Sequence, residues 1–358
     1  MKRALSIFAI AALSACATIP DETTEGVYVV MTRPPNVPPS YLATPNGWFD
    51  PSCVHQLDDG ERVLEDGRVA RADGSVRAIA PCTSPRYDVQ GKIVDEHDRA
   101  KPPATNGWIE YAASVATGPV SYFHAQWTVP PAPAQTDATI YFFPGLENRS
   151  SLDTPILQPV LGWNQADGPA GWSLMSWDCC SQGQFHSAPI AISPGTLVLG
   201  DLIGTSCDAT GLCATWQIVS RNKSNGQSTT LTVSPGLVMD YVAAGVLETY
   251  GVASCQQLPP SGTTFYNFVI GAAPSGTSIN PPAWGKHVFA ATPSCGYAVT
   301  GSNSAITIGV VGTVCAPNDD QACCPYAGGC SCYGDQICKA NGQWGACVGA
   351  SPKGTPCN

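Results

Sequence analysis

The chain has 358 residues, of which only 12% are charged, with 36 Gly, 32 Pro and 17 Cys. Its formal net charge is -10 and no basic block occurs, which argues against nucleic acid and against anionic membrane surfaces as electrostatic partners. Abundant Gly and Pro with few charges suit turn-rich β structure rather than helical bundles, and the length allows one large or two ordinary domains with ample core.

Residues 1–15 read as a signal peptide. Lys2 and Arg3 make a positive start, and Ala4 to Ala12 is apolar apart from Ser6. The run is shorter than the roughly 20 residues of a membrane-spanning helix. Leu13-Ser14-Ala15-Cys16 resembles a bacterial lipobox, in which the Cys is lipidated and becomes the first residue of the mature protein. That resemblance implies an exported lipoprotein held to the cell envelope through Cys16. Ala17 after it implies, by the same resemblance, the outer membrane. Loss of Lys2 and Arg3 leaves a charge of about -12.

Residues 16–46 are rich in Pro and Thr, with Arg33-Pro-Pro-Asn-Val-Pro-Pro39 at their centre, and read as an extended tether. Residues 47–105 carry turn signals at short intervals, Asp58-Asp-Gly60, Glu65-Asp-Gly67 and Asp73-Gly74. They read as a small β-hairpin region, either an accessory module or a propeptide, with Cys53 and Cys82 as a candidate pair.

Residues 106–314 form the main body. Strands are expected at Val120–Val129, Thr139–Phe143, Ile156–Trp163, Pro189–Ile192, Thr196–Ile203, Ala214–Ser220, Gln227–Val233, Val238–Val252, Thr264–Ile270 and Ala305–Val314. Asn222-Lys-Ser-Asn-Gly226 is a hairpin loop ending in the Asn-Gly pair that favours positive φ. No long stretch keeps a helical apolar period free of Gly or Pro. The expectation is an all-β domain, an antiparallel two-sheet sandwich. Residues 315–358 hold eight Cys in 44 residues and almost no aliphatic core, so they read as a disulfide-stapled module of structural or adhesive role. Setting Cys16 aside, the remaining Cys fall into three even groups, which suits internal disulfides in an oxidising compartment.

Common catalytic signatures are missing. There is no Gly-x-Ser-x-Gly elbow, no His-Glu-x-x-His helix, no phosphate loop and no dinucleotide fingerprint. The five His are scattered singly, His186 reads as structural, and neither a metal nor an organic cofactor is implied. What remains is carboxylate and amide chemistry on strands. In Ile156-Leu-Gln158-Pro-Val160, Gln158 is one amide on an apolar face, and in Val246-Leu-Glu248-Thr-Tyr250, Glu248 shares a face with Val246 and Tyr250. A lone polar group on such a face is either satisfied in the core or lining a cleft. Glu147 is a rival carboxylate beside a turn. Trp163, Trp172 and Trp177 are core or cleft walls, and Trp163, Trp177, Glu147 and Tyr250 are the cleft candidates.

Trp127-Thr-Val-Pro130, Tyr141-Phe-Phe-Pro-Gly-Leu-Glu147, Ile156-Leu-Gln158, Ile192-Ser-Pro-Gly195 and Val246-Leu-Glu248 follow one another in the order seen in the glutamic peptidases called eqolisins, which this region, roughly residues 118–270, resembles. The resemblance implies a lectin-like sandwich of two antiparallel sheets with the active site on a concave face. It implies Gln158 as the catalytic Gln, Glu248 as the catalytic Glu, and a protein or peptide as substrate. Pro159 departs from the pattern, standing where those enzymes carry a small polar residue. The chemistry is coherent: a Glu takes a proton from water and returns it to the leaving amine, while a neutral amide holds the oxyanion. With a reference Glu pKa near 4.3, an acidic optimum follows. The alternative from another class is a non-catalytic lipoprotein that binds a glycan or peptide on the same sandwich.

Overall fold

The computed structural model describes residues 33–94, 107–149, 155–179, 183–289, 291–293 and 295–310, with short pieces at 28–29, 320–323, 330–332, 334–337, 346–348 and 351–352. Cys16 and most of residues 315–358 lie outside them. Every described element longer than three residues is a strand, and the only helical turns among the described residues are Pro51–Cys53 and Cys255–Gln257.

The strands used below are β1 (Leu42–Thr44), β2 (Gly47–Phe49), β3 (Val54–Gln56), β4 (Trp108–Thr128), β5 (Thr139–Glu147), β6 (Ile156–Trp163), β7 (Trp172–Cys179) and β8 (Gln184–His186). They continue with β9 (Leu197–Cys207), β10 (Cys213–Asn222), β11 (Ser228–Val233), β12 (Met239–Tyr250), β13 (Thr263–Ala272), β14 (Gly285–Val288) and β15 (Ala305–Ile308). β4 serves two sheets. Its first half lies between β12 and β14, and its second half lies between β9 and β13. The first sheet therefore runs β14-β4-β12-β5-β6-β7-β8, and the second runs β11-β10-β9-β4-β13-β15.

Pairings among strands of residues 106–314 are antiparallel, as expected. Parallel pairings come from the N-terminal region, which adds β3 to the edge at β8 and Arg62–Val63 to the edge at β11. Residues 33–94 are thus fastened to both sheets. Val37 and Tyr41, read from sequence as tether, are buried, and the β1–β2 hairpin straddles position 47.

Two apolar clusters follow from this. Between the sheets lie Phe123, Trp127, Phe142, Leu157, Leu161, Trp216, Leu247 and Phe265, all at most 1% exposed. On the other face of the first sheet, Tyr141, Phe143, Val160, Trp177, Val246 and Tyr250 pack against Tyr41, Trp48, Phe49 and Tyr87 of the N-terminal region. The first sheet is covered on both sides, and every residue of β6 and β7 is buried. Burial on both faces produces continuous apolar runs in place of alternation.

Several strand bounds differ from the sequence reading. β4 starts at Trp108, twelve positions before Val120, and β7 and β8 were not anticipated. The segment expected at Pro189–Ile192 is only Ile190–Ala191. Cys53–Cys82 forms, as do Cys207–Cys213 and Cys255–Cys295.

Candidate active site

Alternation along β12 and β6 brings the two polar residues to the same place. Val246 and Tyr250 join the covered face while Leu247 joins the inter-sheet core, so Glu248 points to the covered face. Ile156 and Val160 join the covered face while Leu157 and Leu161 do not, so Gln158 points there too. Both are 0% exposed.

The ladders show how far apart they stand. Glu248 is opposite Tyr141, which is opposite Gly162; Gln158 sits four residues before Gly162 on the same strand. In a flat sheet, two strand spacings and four residue rises would separate their α carbons by roughly 16 Å. A third residue shows how the sheet curls. Gln184 lies on β8, three strands beyond β5, yet it and Glu248 hold the same peptide unit of the β1–β2 turn. The Asn46 backbone N–H donates to Glu248 Oε1 at 2.5 Å, and Gln184 Nε2 donates to the Pro45 carbonyl at 2.8 Å. Gln158 stands between them along the sheet, on the rung of Trp177 and His186.

Glu248 is closely surrounded. Tyr250 Oη donates to its Oε1 at 2.5 Å, and the Trp108 indole N–H faces it without closing a hydrogen bond. Burial pushes the carboxyl up to about 8, only partly offset by Tyr250, the Asn46 N–H and the Arg86 guanidinium. In the covered form it is therefore mostly neutral at pH 7. Gly107, at φ 78°, passes so close that a β carbon there would lie 2.9 Å from Glu248 Oε1 and 2.9 Å from Tyr250 Oη. Arg86 reaches over from the N-terminal region, donating to the Asn46 carbonyl and to Asn46 Oδ1. Tyr141 Oη donates to the Ala43 carbonyl at 2.6 Å.

Gln158 has the opposite character. Neither atom of its amide has a hydrogen-bond partner among the described residues. Burying an unpaired polar group costs about 1–3 kcal/mol, so such an amide calls for a ligand or a role. Pro159 turns the other way, into the space that a side chain at Gly200 would fill, and leaves the covered face to Gln158.

Of the other candidates, Trp177, Tyr250 and Glu147 stand on the covered face. Trp177 is on the rung of Gln158 and donates its ring N–H to Gln165 Oε1 at 3.2 Å. Glu147 stands opposite Tyr241, whose phenol is held above its ordinary value chiefly by burial, with Tyr111 and Glu147 adding to the effect. Trp163 is a correction: it packs edge-on against Trp172 in the inter-sheet core, because its odd place on β6 sends it with Leu161. His186 is buried, with Nδ1 on the Ser187 carbonyl and Nε2 3.3 Å from Asp167 Oδ2.

Sequence reasoning missed Gln184, Asn46 and Arg86. Thr44-Pro-Asn-Gly47 between apolar residues was a legible turn signal. Nothing local marks Gln184, whose partner carbonyl is 139 residues away. Among the described residues, no cluster of three His, Cys, Asp or Glu is arranged to hold a metal ion.

No protein-family model matches the chain, and no curated protein matches it. Among solved structures it is similar to Scytalido-glutamic peptidase with a peptide-based transition-state analog, at 12% identity and a TM-score of 0.42, over 57% of this chain and 98% of that one. It is also similar to SCP-B, a member of the Eqolisin family of peptidases in complex with the tripeptide Ala-Ile-His, at 14% identity and a TM-score of 0.39, over the same shares. The enzymatically active domain of bacteriophage CBA120 tailspike protein 2 is similar over 46% of this chain and 24% of that one, at 12% identity and a TM-score of 0.28.

Proposed function

We propose that the chain is an envelope-anchored endopeptidase that hydrolyses peptide bonds at acidic pH with Glu248 and Gln158, without metal or organic cofactor. One observation carries the reading: a buried carboxyl and an unpartnered buried amide share one face of one sheet, and that face already holds a peptide backbone through Glu248. In the reaction, Glu248 takes a proton from the attacking water and passes it to the departing amine nitrogen, whose place is marked by the Asn46 N–H. The Gln158 amide donates to the carbonyl oxygen as negative charge gathers there. It does not titrate, so Glu248 alone sets the acidic limb.

The form in hand is latent. Residues 33–94 cover the face, and substrate enters only when they swing away or are cut away, which is the propeptide reading of residues 47–105. Uncovering returns water to Glu248 and lets its pKa fall from about 8 toward the ordinary Glu value, where it serves as a base in mildly acidic solution.

The test is hydrolysis of a denatured protein by the chain after limited proteolysis of its cover, between about pH 3 and 7, with and without chelator. Glu248→Gln should abolish cleavage, Gln158→Ala should lower kcat by about 10²–10³-fold, and chelator should leave the rate unchanged. Cleavage abolished by chelator, or undiminished in both variants, overturns the reading. Absence of cleavage alongside glycan or peptide binding would mean a binding lipoprotein instead. The anchor is tested separately: Cys16→Ser should move the protein from the membrane fraction to the soluble one, and an unchanged distribution removes the lipid.

A further inference from the structure

Resting on the reading of Glu248 as the catalytic carboxyl, we propose that Gln184 is a substrate-binding residue of the same site, which holds the carbonyl oxygen of the peptide bond that is cut. The Pro45–Asn46 unit lies across the covered face as a bound peptide would. Its nitrogen end faces Glu248, where a leaving amine must receive its proton, and its oxygen end faces Gln184 Nε2. A peptide unit is planar, so two groups on its N–H and its C=O clasp it from opposite edges and fix the carbonyl carbon between them. Both clasping residues are 0% exposed, and a donor to a carbonyl works best where water is excluded.

The rest of the grip also addresses backbone. Tyr141 Oη holds the Ala43 carbonyl, two residues before Pro45, so three side chains of the sheet read main-chain atoms at positions 43, 45 and 46. Recognition of that kind tolerates many side chains, and the substrate class is an extended or turn-forming peptide segment rather than a particular residue. Gln158 and Gln184 then share the work. Gln184 locates the carbonyl in the bound state, and Gln158, which has no partner while the hairpin is in place, meets the oxygen as the carbon becomes tetrahedral.

The experiment compares the full chain carrying Gln184→Leu, Gln184→Glu or Glu248→Gln with the unaltered protein, by hydrogen exchange at residues 42–49 in the intact chain and by steady-state kinetics on a peptide substrate across pH after limited proteolysis has cut residues 33–94 away. Gln184→Leu should lower kcat/KM at least 100-fold at every pH and raise exchange at the Asn46 amide about tenfold, because the clasp is lost. Gln184→Glu should keep much of the rate at the acid end, where its protonated carboxyl can still donate, and lose it as that carboxyl ionises. A merely structural Gln184 gives no such dependence. If Gln184→Leu keeps kcat/KM within threefold, or Gln184→Glu shows the same pH profile as the unaltered protein, the proposal falls. If the unaltered protein cleaves nothing even after its cover has been cut away, or Glu248→Gln still cleaves, the reading of Glu248 fails instead. Hydrogen exchange then decides Gln184 alone: unchanged exchange at Asn46 in Gln184→Leu overturns its hold on the Pro45 carbonyl.

Discussion

Glu248 links the state of its cover to pH. Its carboxyl is raised by burial to about 8 in the covered form and returns toward about 4.5 when water reaches it. A group with a raised pKa contributes stability that is complete below its lower value and is lost as pH rises through its higher one. The cover should therefore be held most firmly near pH 4 and loosen between about 4.5 and 8. Protection factors at residues 42–49, corrected for the intrinsic pH dependence of exchange, should fall over that window in the unaltered protein and stay flat in Glu248→Gln, and equal slopes in both would refute the link. It also follows that acid alone does not open this site through Glu248, so a cut in the N-terminal region or a competing substrate must do it. Which side chains face which way was legible here, because Gln158 and Glu248 sit in strict two-residue alternation with Ile156, Val160, Val246 and Tyr250. Gln184 was not, since its role rests on a contact across 139 residues rather than on any local pattern.

At the scale of elements, the N-terminal hairpin region lies over the first sheet as a lid and is fastened at two sheet edges. β3 adds to one sheet edge and Arg62–Val63 adds to the other, and Cys53–Cys82 closes, within the region itself, the loop that contains both attachments. Closing a loop of that length contributes about 2–4 kcal/mol. Replacing both cysteines with Ser should therefore raise exchange across residues 42–49 and speed hydrolysis of added substrate, with the sandwich unchanged by circular dichroism. A double variant as protected as the parent would mean that the strand edges alone hold the lid. The lid also explains what the sequence hid. β7 is buried at every position because one face meets the second sheet and the other meets the lid, and its polar residues, Ser173, Ser176 and Asp178, are divided between the two faces, so no alternation marks it as a strand. The first half of β4 was overlooked because Ala112, Ala113, Ala116, Gly118 and Pro119 dilute the β signal, and its pairing is supplied by β12 and β14.

Across the whole molecule, Glu248 is joined by two further buried carboxyls raised to about 8 by burial, Glu110 and Asp178. Glu110 accepts the Gly309 N–H at 2.7 Å and so ties the segment around residue 309 to β4. All three favour the folded state while protonated, and all lose that contribution as pH rises. The melting temperature should then be higher near pH 5 than near pH 8, with a slope reduced in Glu110→Gln and Asp178→Asn. A flat or reversed profile would show that these groups ionise without penalty. An opposite contribution comes from Glu61, whose carboxyl is held low chiefly by its hydrogen bond to Arg77, so that the stability this pairing adds is lost as pH falls and the group protonates. β4 carries a different consequence, for the order in which the protein can assemble. All four of its neighbours are supplied later in the chain, between Leu197 and Val288. A growing chain that ends before Leu197 exposes 21 residues of strand with both edges open, a template for pairing with other chains. The seam joining the two sheets is therefore a late, long-range event, and the polypeptide is best kept unfolded until nearly all of it is available.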